Sequence, residues 1–180
     1  ITGYAKVRGH MMAKAGLEAA LWDLFAKSKG ISLSQMMGGT RKKVDVGVSI
    51  GIQESVPALI KKVEGYLAEG YCRIKIKIAP GLDLQFVEAL RKEFPDLRLQ
   101  VDANSAYTLN DIGIFKKMDH QRLLLIEQPL GYEDIFDHSK LQRELKTPIC
   151  LDESIHSLDD TRAAIELDSC RVINIKPGRV

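Results

Sequence analysis

The sequence lacks three features that would place it in a special class of protein: closely paired cysteines, an excess of charge of one sign and a long apolar run. Its three cysteines, Cys72, Cys150 and Cys170, are widely spaced, which argues against a disulfide framework or a thiolate zinc site and favours reduced thiols. The net charge is +2 without a long basic block. We therefore expect a cytoplasmic globular protein with no nucleic-acid and no membrane partner.

What the sequence does contain is a regular alternation of strand-like and helical stretches. A first helix is predicted from about Met11 to Ser28, with apolar residues at helical spacing on one face. Six predicted strands follow: Val44–Gly51, Arg73–Ile78, Leu97–Asp102, Leu123–Glu127, Pro148–Asp152 and Arg171–Lys176. Helices are predicted between them: Ser55–Glu69, Asp83–Phe94, Leu109–Met118, Glu133–Leu145 and Leu158–Leu167. This alternation predicts βαβ units and a parallel sheet.

Five charged residues recur at a nearly constant step along these units: Lys77, Asp102, Glu127, Asp152 and Lys176. The step is 25 residues between the first four and 24 before the last. Each lies at or near the C-terminal end of its predicted strand, where a (β/α) barrel builds its active site. One acidic residue at a strand end more often caps a turn or helix. The five together favour a shared site.

Three carboxylates at one rim would repel each other unless a cation neutralised them. Oxygen ligands of this kind suit a hard divalent ion, with Mg²⁺ first and Mn²⁺ second. Asp102, Glu127 and Asp152 are therefore the candidate metal ligands. Such an ion could hold the carboxylate of a small-molecule substrate and stabilise the enediolate that forms when the neighbouring carbon loses its proton.

The lysines are the candidates for moving that proton. A lysine acts as a base only in its neutral form, which nearby positive charge favours. Strand alternation places Lys75 on the same face as Lys77, where its charge would have that effect. Lys176 comes from another strand and could face the opposite side of the reacting carbon.

Five motifs carry a resemblance to a known family: Lys75-Ile-Lys77, Val101-Asp102-Ala103-Asn104, Ile126-Glu127-Gln128-Pro129, Leu151-Asp152-Glu153-Ser154 and Asn174-Ile-Lys176-Pro-Gly-Arg-Val. They resemble the enolase superfamily and, within it, the o-succinylbenzoate synthase / N-acylamino acid racemase family. The resemblance covers nearly the whole chain. The lysine and metal motifs are shared across a broad subgroup and indicate a reaction type. The last motif is narrower and favours this family over dipeptide epimerases.

The resemblance implies roles for individual residues. Lys77 would be the base and Lys176 its partner on the other face of the substrate, and the three acids would hold the metal. Three further residues would lie near the substrate or the metal: Ser49, Lys75 and Asn104. The alternatives are turn capping for Ser49, a surface position for Lys75 and an Asx-type turn for Asn104.

The resemblance also implies a fold. We expect an α/β protein with a partial (β/α) TIM-type barrel, the barrel domain of the enolase superfamily, in which residues 44–180 form about six βα units. Residues 1–43 would be a helical segment that links a capping domain to the barrel. A complete barrel takes about 250 residues. We therefore expect a fragment without the capping domain and the last strands, and its open sheet edges predict a homo-oligomer.

For the function, the leading interpretation is a lyase that dehydrates a cyclohexene carboxylate to o-succinylbenzoate in menaquinone synthesis. The alternative is an N-acylamino acid (N-succinylamino acid) racemase, because both reactions begin with the same proton removal, and the residues do not separate them. A Schiff-base aldolase with Lys176 as nucleophile is less favoured, because its mechanism does not require three carboxylates at the site. An inactive partial barrel that serves as a binding module is the remaining alternative.

Overall fold

The computed structural model describes Gly3 and residues 6–179. These residues divide into two compact units. The helical unit contains the described chain up to Asp45 together with the segment from Ile175, and the sheet unit is Val46–Asn174. None of the helices in the described chain is both long and apolar enough to cross a membrane.

The helical unit contains two helices among its described residues, α1 (Met11–Ser28) and α2 (Leu33–Met36). The first has the bounds expected from the sequence. Its predicted apolar face is not buried within this unit: Leu24 and Phe25 are exposed and only Ala26 is buried. The described part of the unit has too little secondary structure to cover that face. The short helix α2, which the sequence analysis missed, begins at a capping box between Ser32 and Gln35.

The sheet unit is built on a parallel sheet whose strands lie side by side in chain order. Its described strands are β1 (Val48–Ile50), β2 (Arg73–Lys77), β3 (Arg98–Asp102), β4 (Ile126–Glu127), β5 (Ile149–Leu151) and β6 (Val172–Ile173). All neighbouring pairs run parallel. All six predicted strands are present, each shorter than expected, and the α/β class with a partial barrel is confirmed.

Helices follow the first five strands: α3 (Val56–Ala68), α4 (Leu84–Glu93), α5 (Ile112–Met118), α6 (Phe136–Glu144) and α7 (Leu158–Glu166). Side-chain caps explain where several of them begin. Ser55 accepts a hydrogen bond from Ala58 N at the start of α3, and Ser157 accepts one from Asp160 N at the start of α7. The predicted helix Leu109–Met118 is a 3₁₀ turn (Leu109–Asp111) that continues into α5.

The two faces of the sheet differ in polarity because the strand sequences alternate. In β2, Ile74 and Ile76 are fully buried on the face that packs against the helices, where they join a continuous apolar core. Burying such side chains contributes about 1.5–3 kcal/mol each. Lys75 and Lys77 project from the opposite face. The core thus fixes the sheet from one side and leaves its charged residues on the other.

Asp119 fixes the chain just before β5, because its carboxylate accepts hydrogen bonds from the backbone N–H groups of Thr147 (2.6 Å) and Lys146 (3.1 Å). Burial raises the pKa of Asp119, but these hydrogen bonds outweigh it and lower the pKa below its ordinary value. The bonds therefore stabilise the fold fully above about pH 4 and lose effect as the pH falls through the lowered pKa. We expect Asp119→Ala to reduce the free energy of unfolding by about 2 kcal/mol at pH 7, as measured by urea denaturation.

Asp159→Ala is the matched control, because Asp159 is exposed and forms an ion pair with Arg162 at the surface. It is expected to change the free energy of unfolding by less than about 0.5 kcal/mol. The difference between wild type and Asp119→Ala should shrink below about pH 4. A difference that is constant from pH 7 to pH 2.5 would contradict the role of the carboxylate charge.

Candidate active site

The candidate site begins at the C-terminal ends of three adjacent strands. Lys77, Asp102 and Glu127 are the last residues of β2, β3 and β4. The strand register pairs Lys77 with Asp102 and Asp102 with Glu127, so the constant step in sequence becomes a row across the sheet. Asp152 follows the last residue of β5 directly. All three acids are buried, and the row is the arrangement expected from the repeat.

Lys75 lies two residues before Lys77 on the same face of β2. It forms ion pairs with two of the acids. Its Nζ is 2.8 Å from Glu127 Oε2 and 3.3 Å from Asp102 Oδ2. Burial lowers the pKa of Lys75, but the hydrogen bond to Glu127 and the charges of both acids outweigh it and raise the pKa. Lys75 is therefore an ammonium at neutral pH. The structure places it beside the acids and not at the surface, and its role near the substrate or the metal stays a prediction.

Glu127 is buried near two further acids and the ammonium of Lys75. Burial raises the pKa of Glu127, and the charges of Asp102 and Asp152 raise it further against the opposing effect of Lys75. Asn174 Nδ2 also donates a hydrogen bond to Glu127 Oε1 (3.2 Å). Carboxylates crowded in this way fit a hard divalent cation by their chemistry.

The side chains do not, however, form a ready-made metal cage. Among the residues that the structure describes, no three His, Cys, Asp or Glu side chains are grouped so that they could hold one ion. Lys75 Nζ instead contacts carboxylate oxygens of both Asp102 and Glu127. The role of Asp102, Glu127 and Asp152 as metal ligands therefore stays a prediction.

Asn104 connects the candidate base to a second acid, the partly buried Glu153. Lys77 Nζ donates a hydrogen bond to Asn104 Oδ1 and lies 3.4 Å from Asp102 Oδ2. The amide of Asn104 in turn donates to Glu153 Oε1 (2.9 Å), and its backbone N–H donates to Asp102 Oδ1 (3.1 Å). Asn104 has a positive φ of 42°, which asparagine tolerates better than most residues. The side chain of Lys77 is 37% exposed and can be reached from outside.

A cavity of about 260 Å³ adjoins the row of charges. Ser49, Lys75, Glu127, Cys150 and Asn174 are among its lining residues. Ser49 pairs with Lys75 between β1 and β2, and its role near the substrate or the metal stays a prediction. Burial raises the pKa of the Cys150 thiol to about 12, and the charge of Glu127 adds to it, so this thiol is not a nucleophile at neutral pH.

Two residues at this site had no role in the sequence analysis. Asn174, which donates to Glu127, stands two positions before Lys176 in the last motif, and its polar side chain directly after β6 was the available signal. Gln128 was quoted only as part of a motif. Lys176 itself belongs to the helical unit, where its carbonyl accepts a hydrogen bond from Arg179 N (2.8 Å). Its pairing with Lys77 stays a prediction.

Comparison with known protein families shows which family this chain belongs to. Residues 58–180 match the family described as enolase C-terminal domain-like. The chain belongs to this family. Residues 2–38 match the N-terminal domain of the mandelate racemase / muconate lactonizing enzyme family. The resemblance to the enolase superfamily that the motifs indicated is thus confirmed.

Two relatives at more than 50% identity carry different names. The chain is 55% identical over 177 residues to an o-succinylbenzoate synthase of Geobacillus kaustophilus, which covers 98% of this chain and 47% of the relative. It is 53% identical over 176 residues to an N-succinylamino acid racemase of Thermus thermophilus, covering 98% and 48%. The chain spans about half the length of the curated relatives it matches.

A solved structure supports the same fold. An enolase-superfamily member from Listeria innocua matches with a TM-score of 0.92 and 50% identity, over 98% of this chain and 48% of that one. The partial barrel predicted from the repeat therefore has the backbone of an enolase-superfamily barrel.

Proposed function

We propose that the natural protein removes the proton next to the carboxylate of a small organic acid, as an o-succinylbenzoate synthase does when it dehydrates its substrate. The observation that carries the proposal is the row of Lys77, Asp102 and Glu127 in strand register, with Asp152 close enough for its charge to act on Glu127. The relatives at 53–55% identity support the choice within the superfamily.

Lys77 is the proposed base. It is the more exposed of the two lysines on β2, while Lys75 is held as an ammonium between two carboxylates. The hydrogen bond from Lys77 to Asn104 restricts the position of the amine, so that it can be aimed at a carbon next to a bound carboxylate. This moves Asn104 from substrate binding to the support of the base, and Ser49 lines the cavity that would receive the substrate.

A divalent cation, Mg²⁺ or Mn²⁺, would be held by Asp102, Glu127 and Asp152 and would supply positive charge against the enediolate. Lys75 supplies a further fixed positive charge to the same acids. Lys176 is proposed as the second lysine on its sequence alone, because it continues the regular step three residues after β6. In a dehydration it would stabilise negative charge, and in a racemisation it would serve the opposite face.

Racemisation of N-succinylamino acids is the second candidate, favoured by the relative from Thermus thermophilus. The test is to incubate the natural protein and Mg²⁺ with the cyclohexene carboxylate precursor of o-succinylbenzoate, and separately with an N-succinyl-L-amino acid in D₂O. We expect o-succinylbenzoate from the first, detected by its absorbance. Deuterium at the α-carbon of the second, detected by NMR, would add the racemase activity. Failure with both substrates would refute the proposal.

A further inference from the structure

Gln128, the residue after Glu127, uses its whole side chain to join the ends of β4 and β5. It is completely buried. Its Oε1 accepts hydrogen bonds from Asp152 N (2.9 Å) and Ser154 N (3.3 Å). Its Nε2 donates to Ser154 Oγ (2.6 Å) and to the carbonyl of Gly131 (3.0 Å). One amide thus satisfies the backbone on both sides of the gap between the two strand ends.

The backbone of Gln128 is held as firmly as its side chain. Its N–H donates to Cys150 O (2.8 Å) and its carbonyl accepts from Ser105 N (2.9 Å), which continues the sheet pairing by one residue beyond β4. Its φ is +38°, a left-handed conformation that is uncommon for glutamine. Residues in such conformations cost about 1–3 kcal/mol and persist only where their surroundings hold them. Here the strained residue is Gln128, which follows Glu127 in the chain and accepts the hydrogen bond from Asp152 N.

The far side of this network is anchored in α6. Ser154 Oγ donates to the carbonyl of Asp134 (2.8 Å). His138, fully buried, contacts the same carbonyl through Nδ1 (2.8 Å), while its Nε2 accepts from Leu130 N (3.1 Å). Because Nε2 is an acceptor, the proton lies on Nδ1 and the ring is neutral. The loop after β4 is therefore fixed to a helix and not only to its neighbouring strand.

We propose that Gln128 is a positioning residue that sets the location of Asp152 relative to Glu127. It holds the backbone of Asp152 through a hydrogen bond, and it is covalently joined to Glu127. The inference deepens the proposed function, because it concerns two of the three acids assigned to the cation. A side chain without an oxygen acceptor, such as methionine, cannot do the same, since it would leave the buried N–H of Asp152 without this acceptor.

Gln142, a residue of α6 that contacts β5, provides a matched control. It is also a buried glutamine, but it contacts the opposite end of β5. Its Oε1 accepts from Ile149 N (2.7 Å), and its Nε2 donates to the carbonyls of Leu145 and Thr147 (3.2 Å each). Both buried glutamines therefore fix backbone groups next to β5 through their amides, and only Gln128 lies at the end that carries the acids.

The experiment compares Gln128→Met with Gln142→Met in the natural protein. Three quantities are measured: the free energy of unfolding, the affinity for Mn²⁺ by calorimetry, and the hydrogen exchange rate of the Asp152 amide. Both variants are expected to be less stable than wild type. Only Gln128→Met is expected to bind Mn²⁺ about 10-fold more weakly and to exchange the Asp152 amide faster. Equal Mn²⁺ affinities in the two variants, or an unchanged Asp152 amide in Gln128→Met, would overturn the inference.

Two further outcomes are distinguishable. If Gln128→Met does not fold, Ser154→Ala replaces it, because it removes one partner of the Gln128 amide and leaves the acceptor of Asp152 N in place. A smaller change in the same direction is expected, and no change in either Mn²⁺ affinity or Asp152 exchange would overturn the inference. If the wild type binds no Mn²⁺, the proposed metal site fails, whereas the exchange of the Asp152 amide still decides the role of Gln128.

Discussion

With methionine in place of Lys77, the exchange of the substrate's α-proton with solvent deuterium is expected to slow by about 10³-fold or more, within the range that a positioned general base contributes. Methionine keeps the length of the side chain and removes the amine that donates to Asn104 and lies 3.4 Å from Asp102. The rate is measured by NMR on the N-succinylamino acid in D₂O at saturating Mg²⁺.

Lys116→Met is the control for the loss of a lysine. Lys116 is an exposed residue of α5 that pairs with Glu144 at 2.6 Å, and its replacement should leave the exchange rate unchanged. Binding of Mn²⁺ should survive in Lys77→Met, because Lys77 is not one of the acids assigned to the cation. Deuterium exchange at the wild-type rate in Lys77→Met would remove this residue from its proposed role.

The row of charges could be predicted because it depends only on periodicity. A constant step along βα units brings equivalent residues into register, and alternation within a strand decides which face they share. The lengths of the strands could not be predicted from periodicity. For example, β1 was predicted over Val44–Gly51 but pairs with β2 over Val48–Ile50. Pairing, and not apolar composition, sets where a strand ends.

The contacts between the charged residues could not be predicted from periodicity. The position of Lys75 between Asp102 and Glu127, and the five hydrogen bonds of the Gln128 side chain, depend on distances across loops and neighbouring strands. The helix α2 is a different case. Its capping box, Ser32 followed three residues later by Gln35, was visible in the sequence but begins a helix too short to show apolar periodicity.

Glu127→Gln is expected to weaken Mn²⁺ binding by about 100-fold or more, since loss of outer partners alone commonly costs 10- to 100-fold. Glutamine keeps the size of the side chain and removes the negative charge. The carboxylate that it replaces accepts two hydrogen bonds from Lys75, at 2.8 and 3.0 Å. The affinity is measured by calorimetry, and proton exchange at a fixed Mg²⁺ concentration should fall with it. The control is Glu144→Gln, an exposed acid paired with Lys116.

A purely structural role for Glu127 makes a different prediction. If Glu127 only neutralised Lys75, its replacement would leave that half-buried ammonium with Asp102 as its remaining ion-pair partner and would lower the free energy of unfolding. The Mn²⁺ titration would then be unchanged. Measuring both quantities on the same variant separates the two roles, because a cation site loses affinity whether or not the fold is weakened. A less stable variant with wild-type Mn²⁺ affinity would therefore assign Glu127 to the ion pair alone.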